Sequence, residues 1–202
     1  MKPLLAAAAV AFALAAPAYA APEIGKAAPG FTARDAGGKI VRLADYRGKM
    51  VVLEWHNPGC PFVVKHYSSG NMQKTQAAAA KAGAVWLTVS SGAPGKQGHM
   101  DGAAATALIA AQKAKPAAYL LDPKGVIGRG YGAKATPHMY VIDARGMLVF
   151  AGGIDDRPTA DKADIATARN HVLAALAELK AGKSVSVPAS RPYGCSVKYS
   201  DS

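Results

Sequence analysis

The run Met50-Val-Val-Leu-Glu-Trp-His-Asn-Pro-Gly-Cys60-Pro61-Phe62 constrains this chain more than any other segment. An apolar, β-branched stretch over residues 50–56 reads as a buried strand, and Asn-Pro-Gly ends it in a turn. Proline suits the first position of a helix, where its missing N–H would have had no partner. Cys60 therefore stands at a helix N-terminus, where unpaired N–H groups and the positive end of the helix dipole favour an anion. A thiol in that place loses its proton more easily, and the thiolate is the nucleophile. The pattern points to thiol redox chemistry.

The first twenty residues read as an export signal rather than as fold. Lys2 supplies a positive start, residues 4–16 an apolar core, and Ala18-Tyr19-Ala20 a small-x-small cleavage site, so cleavage is expected after Ala20. The apolar core is shorter than the roughly 20 residues that span a bilayer, so no stable membrane anchor is expected. The expected location is periplasmic or secreted. Residues 21–182 are long enough for one domain with its own core, and residues 183–202 read as a polar, Ser- and Pro-rich tail. Cys60 and Cys195 are the only cysteines, which allows one intramolecular disulfide and excludes a disulfide-dense scaffold. The formal charge of +11 comes from lysines and arginines scattered singly, which suits a basic solvated surface. Nucleic acid is not an expected partner.

Strand and helix patterns alternate along the chain. Strands are expected over residues 39–43, 50–56, 84–90 and 118–121, with a hairpin over 139–143 and 147–152. Helices are expected over 61–82, 102–113 and 161–181. This order implies an α/β fold, a central mixed sheet with helices on both faces. In such sheets reactive groups lie beyond the carboxyl ends of strands, where Cys60 falls.

Glu54 interrupts the buried strand. An unpaired buried carboxyl tends to become neutral, and one beneath a nucleophilic cysteine can take and return a proton. Alternatively, Glu54 reaches the sheet edge and pairs with a lysine. His56 shares the face of Glu54. His138 adjoins Pro137 and edges the same cleft, whereas His66 and His99 read as surface histidines.

Ile24-Gly-Lys-Ala-Ala-Pro-Gly-Phe-Thr32, Asp35-Ala-Gly-Gly38, Leu43-Ala-Asp-Tyr-Arg-Gly-Lys49 and Val51-Val-Leu53 together resemble the opening of the redoxin family. That is the alkyl hydroperoxide reductase/thiol-specific antioxidant group of the thioredoxin-like superfamily. Ala135-Thr-Pro-His-Met-Tyr-Val-Ile-Asp143 resembles the same superfamily's cis-proline strand. The resemblance implies a thioredoxin-like fold with Cys60 as nucleophile and Glu54 as the buried acid. It also implies that Pro137 is the cis-proline and that the Thr136 backbone pairs with a bound thiol substrate. It implies protein disulfides or peroxides as substrates, an external thiol as reductant, and neither cofactor nor metal.

Two departures narrow the expectation. Val63 replaces the second cysteine of Cys-x-x-Cys, so Cys60 has no local partner. Leu53 and Asn57 stand where peroxiredoxins carry the Pro and Thr of Pro-x-x-x-Thr-x-x-Cys, leaving Asn57 as the substitute hydrogen-bond donor. Cys195 lies beyond the last helix, as the resolving cysteine does in some two-cysteine peroxiredoxins. It is expected to resolve the product of Cys60, within one chain or between two. A static bridge closing about 135 residues would instead stabilise by roughly 5 kcal/mol in the chain-entropy model. Two other functions fit parts of the sequence. A copper carrier of the SCO type would use Cys60, His138, Met139 and Cys195, and a degenerate binding module would leave Cys60 an ordinary thiol.

Overall fold

The β-branched and aromatic runs form the strands of the computed structural model, which describes residues 22–201. The export signal expected over residues 1–20 lies outside the described residues. In chain order the elements are β1 (Thr32–Asp35), β2 (Ile40–Arg42), β3 (Val51–Trp55), α1 (Pro61–Ser68), α2 (Asn71–Lys81), β4 (Val85–Ser90) and α3 (Gly102–Gln112). They continue with β5 (Ala118–Leu121), α4 (Val126–Gly130), β6 (Ala135–Thr136), β7 (His138–Ile142), β8 (Leu148–Gly152), α5 (His171–Lys180) and β9 (Cys195–Ser196).

Seven strands make one mixed sheet in the order β2-β1-β5-β4-β3-β7-β8. β3, β4 and β5 run parallel, and the other neighbours are antiparallel. Alternate residues of β3 feed two cores. Val52 packs with Trp86, Met139 and Val141 against α1, α2 and α5. Val51, Leu53 and Trp55 face Leu87, Leu120 and Tyr140 on the other side, where Ile127 of α4 and Tyr131 close the layer. The expected α/β architecture, thioredoxin-like with helices on both faces of a mixed sheet, is the one observed.

Two expected helices are shorter than their sequence patterns. The run over residues 61–82 breaks after Ser68. There the Ser68 and Ser69 hydroxyls donate to the carbonyls of Val64 and Lys65 one turn back, and Gly70 takes φ +75° before α2 starts. The run over 161–181 divides into a 3₁₀ turn at Lys162–Ala166 and α5. Asn170 starts α5 anew, its side-chain oxygen accepting from the Leu173 N–H at 3.0 Å.

Residues 183–201 lie along the fold. The Ser190 N–H donates to Ala151 O and the Ala93 N–H to Lys198 O. Between these points β9 pairs antiparallel with β6, setting Cys195 opposite Thr136 and Ser196 opposite Ala135.

Candidate active site

Cys60 is the N-cap of α1 and Pro61 its first residue. The turn before it is shaped by Asn57, whose side-chain oxygen accepts from the Gly59 N–H at 2.9 Å and whose carbonyl accepts from the Cys60 N–H at 3.0 Å. Cys60 has no exposed surface. As a thiol it donates to the Thr136 carbonyl at 3.0 Å, just before the cis Thr136–Pro137 bond. The Cys195 N–H points at the same sulfur from 3.4 Å. Burial pushes the Cys60 thiol up, but hydrogen bonds from the Cys195 thiol, the Thr136 side chain and the N–H groups of Cys195 and Val63 outweigh it, and the net direction is down. Cys195 moves the other way, to about 11, through burial and its hydrogen bond and charge repulsion with Cys60. The two environments push the pair apart, Cys60 toward the thiolate and Cys195 toward the thiol. Both cysteines are free thiols in this structure.

Glu54 sits in the sheet interior, between Thr88 of β4 and Met139 of β7, fully buried. This corrects the alternative of an edge residue paired with lysine. Its carboxylate accepts from Tyr67 Oη at 2.8 and 3.0 Å, Trp86 Nε1 at 2.9 Å and Thr88 Oγ1 at 3.2 Å. Burial raises its pKa to about 7 against the pull of these donors. Its proton thus comes and goes near neutrality.

His56 packs edge-on against Tyr67, the residue that also holds Glu54, with ring centroids 5.0 Å apart. Its Nδ1 bonds to Tyr119 Oη at 3.0 Å and its Nε2 has no protein partner. Burial lowers its pKa to about 3. His138 points to the opposite sheet face from Met139. Its Nδ1 meets Tyr140 Oη at 3.1 Å and the Lys134 N–H at 3.3 Å. The four ligands of a copper site therefore do not converge, because adjacent strand residues face opposite ways. Among the described residues no group of three or more His, Cys, Asp and Glu side chains is placed to hold a metal ion.

Residues 24–151 match the AhpC/TSA family. This chain belongs to that family. Among solved structures it is similar to a hypothetical protein of Sinorhizobium meliloti 1021, with 24% identity, TM-score 0.72, and 91% of this chain and 98% of that chain covered. An uncharacterized conserved protein from Geobacillus kaustophilus gives 23%, 0.72, 89% and 94%. A Chlorobium tepidum protein named as a thiol:disulfide interchange protein of the DsbE kind gives 25%, 0.53, 65% and 85%. Curated proteins provide no match.

Within this redoxin the peroxide-orienting position is reassigned. Asn57 does not donate to Cys60, since its amide reaches Gln97 Oε1 at 3.2 Å and its oxygen is taken by Gly59. His66 is fully buried, not on the surface. Asn71 Nδ2 meets its Nδ1 at 2.8 Å, its Nε2 lies 3.3 Å from Tyr193 Oη, and Tyr193 donates to Asp155 Oδ1 at 2.5 Å. The reason is that residues 154–157 and the tail cover a second face of α1: Lys65 is buried too, its ammonium on the Arg157 carbonyl at 3.1 Å. His99 is exposed, as expected. Sequence reasoning missed Tyr67, Trp86, Tyr193 and Asp155. A signal existed for Tyr193 alone, an aromatic residue two before Cys195 in an otherwise polar tail.

Proposed function

We propose that this redoxin is an exported thiol-disulfide oxidoreductase in which Cys60 is the nucleophile and Cys195 its resolving thiol within one chain. The observation that carries the reading is the convergence of the Cys195 N–H, the Cys195 thiol and the α1 N-terminus on one sulfur. Donors aimed at a sulfur favour its thiolate, and a second thiol at hydrogen-bonding distance is placed to close a disulfide. Glu54 serves as the proton store beneath the pair. Thr136 and Pro137 wall the Cys60 sulfur, with the Thr136 backbone taken by the tail strand β9, and His56 and Asn57 lie in its surroundings. Disulfides are favoured over peroxides as substrates because the Asn57 amide is turned to Gln97 Oε1 and makes no hydrogen bond to Cys60. An external thiol returns the protein to its dithiol form. The export signal expected from the sequence of residues 1–20 supports export. No described helix is long and apolar enough to cross a membrane.

Insulin reduction and hydrogen peroxide turnover, measured for wild type, Cys60→Ser and Cys195→Ala, test the reading. Disulfide reduction is expected in wild type, absent in Cys60→Ser and strongly slowed in Cys195→Ala. Activity that survives Cys60→Ser overturns it.

A further inference from the structure

The two sulfurs are not equally reachable. Cys60 has no exposed surface, whereas Cys195 is half-buried. What covers Cys60 is the tail itself, and that cover is fixed on both sides of Cys195. On one side Tyr193 is 9% exposed, with its ring against Phe62 at 5.9 Å and its hydroxyl between His66 and Asp155. On the other, Val197 is buried in the second core and its N–H donates to Lys134 O at 3.2 Å. Tyr199 follows, its hydroxyl on Ala133 O at 2.8 Å and its ring beneath the Arg129 guanidinium at 4.4 Å. Gly194 lets the strand lie this close. It takes φ +126°, and a Cβ there would fall 2.0 Å from the Thr136 carbonyl oxygen. One gap near the site, lined by Asn57, Thr136 and Val197 among others, is about 10 Å³, and a cavity of about 570 Å³ lies on the outer side of the tail against Tyr193 and Gly194. The gap has scarcely room for one water.

From this geometry we infer that, with the tail docked, the external thiol that reduces the oxidised protein attacks Cys195 and not the covered Cys60. The inference rests on the redox pair proposed above and names the sulfur that meets the partner. In the oxidised protein an external thiolate attacks Cys195 Sγ. The Cys60–Cys195 bond breaks, its electron pair leaves with Cys60 as thiolate, and the external sulfur is left bonded to Cys195. A second thiol of the donor then attacks the donor sulfur, producing the donor disulfide and releasing Cys195, which takes a proton. The two-electron balance is one protein disulfide reduced for one dithiol oxidised. The donors on Cys60 make it the better leaving group of the two, which favours the same direction of attack. The reductant accordingly meets the tail surface around Cys195, and its recognition lies in that segment.

The test uses the full mature chain. Oxidised wild type is mixed with limiting N-acetylcysteine, quenched in acid and peptide-mapped, with the adduct expected on the Cys195 peptide and Cys60 free. In parallel, a maleimide carrying a polyethylene glycol chain is applied to the reduced single-cysteine forms. It is expected to label Cys195 in Cys60→Ala readily, and Cys60 in Cys195→Ala at least about tenfold more slowly. Equal labelling of the two sulfurs, or an adduct mainly on Cys60, overturns the inference and leaves the redox pair standing. Failure of oxidised wild type to contain a Cys60–Cys195 disulfide overturns the pair itself, and this inference with it.

Discussion

Cys60 and Cys195 touch, yet they are held in opposite ways. Cys60 is placed by its own neighbourhood: a strand, an Asn-Pro-Gly turn and a proline-started helix within about a dozen residues. Cys195 is placed by residues far away in sequence, among them His66, Asp155, Thr136 and Ala133. Local folding therefore places Cys60 at the head of its helix, and only the finished tertiary structure brings up its partner and most of the donors on its sulfur. Damage to the tail should disconnect the pair without displacing Cys60.

The strongest way to break this contrast is Gly194→Val. Its Cβ would collide with the Thr136 carbonyl, so β9 must leave β6. Loss of the held geometry should slow Cys60–Cys195 disulfide formation by about 100-fold or more. The rate of thiol loss after one equivalent of diamide reads it, and unaltered closure would show that β9 is not what positions Cys195.

Acidity separates the two regions next. Glu54, on the Cys60 side, has its folded pKa raised from 4.5 to about 7 by burial, so the folded state binds the extra proton. Its contribution is full below pH 4.5 and is lost as pH rises to 7, up to about 3 kcal/mol. His66, on the tail side, has its folded pKa lowered by burial from 6.5 to about 4, although Asp155 pulls it up. Its contribution is full above pH 6.5 and is lost as pH falls toward 4. Urea midpoints across pH 4–8 should therefore show Glu54→Gln removing part of the decline toward pH 7 and His66→Gln part of the decline toward pH 4. Parallel profiles for the two variants and wild type would remove both groups from the account.

Tyr193→Phe is a smaller, sharper change. It keeps the ring on Phe62 and removes the donor to Asp155, leaving that carboxylate with the Arg157 N–H at 3.0 Å on the same oxygen. Stability should fall by about 1–2 kcal/mol, and labelling of Cys60 by the bulky maleimide should rise in a Tyr193→Phe/Cys195→Ala background. Unchanged labelling would mean that Tyr193 does not hold the tail closed.

The same contrast explains what could be read from the sequence. The apolar run, the turn and Pro61 announce Cys60 without reference to anything distant, and strand–helix alternation gives the sheet. Glu54 stood out because it interrupts an apolar strand, but its partners Tyr67, Trp86 and Thr88 come together only through β4 and α1. His66 was misread because six residues from Cys60 is a different helix face, and nothing local shows that the tail covers that face as well. The breaks at Gly70 and Asn170 were missed because side-chain bonds to the backbone compete with a helical pattern that otherwise continues. Tail residues carry no periodicity, so Val197 and Tyr199 gave no pattern to follow, and Tyr193 was marked only by its place two before Cys195.

The most direct measurement is non-reducing peptide mapping of the protein after one equivalent of hydrogen peroxide or diamide. The account predicts a monomer lighter by two hydrogen atoms, with the Cys60 peptide cross-linked to the Cys195 peptide. Two persistent free thiols, or a dimer joined between chains, would contradict it.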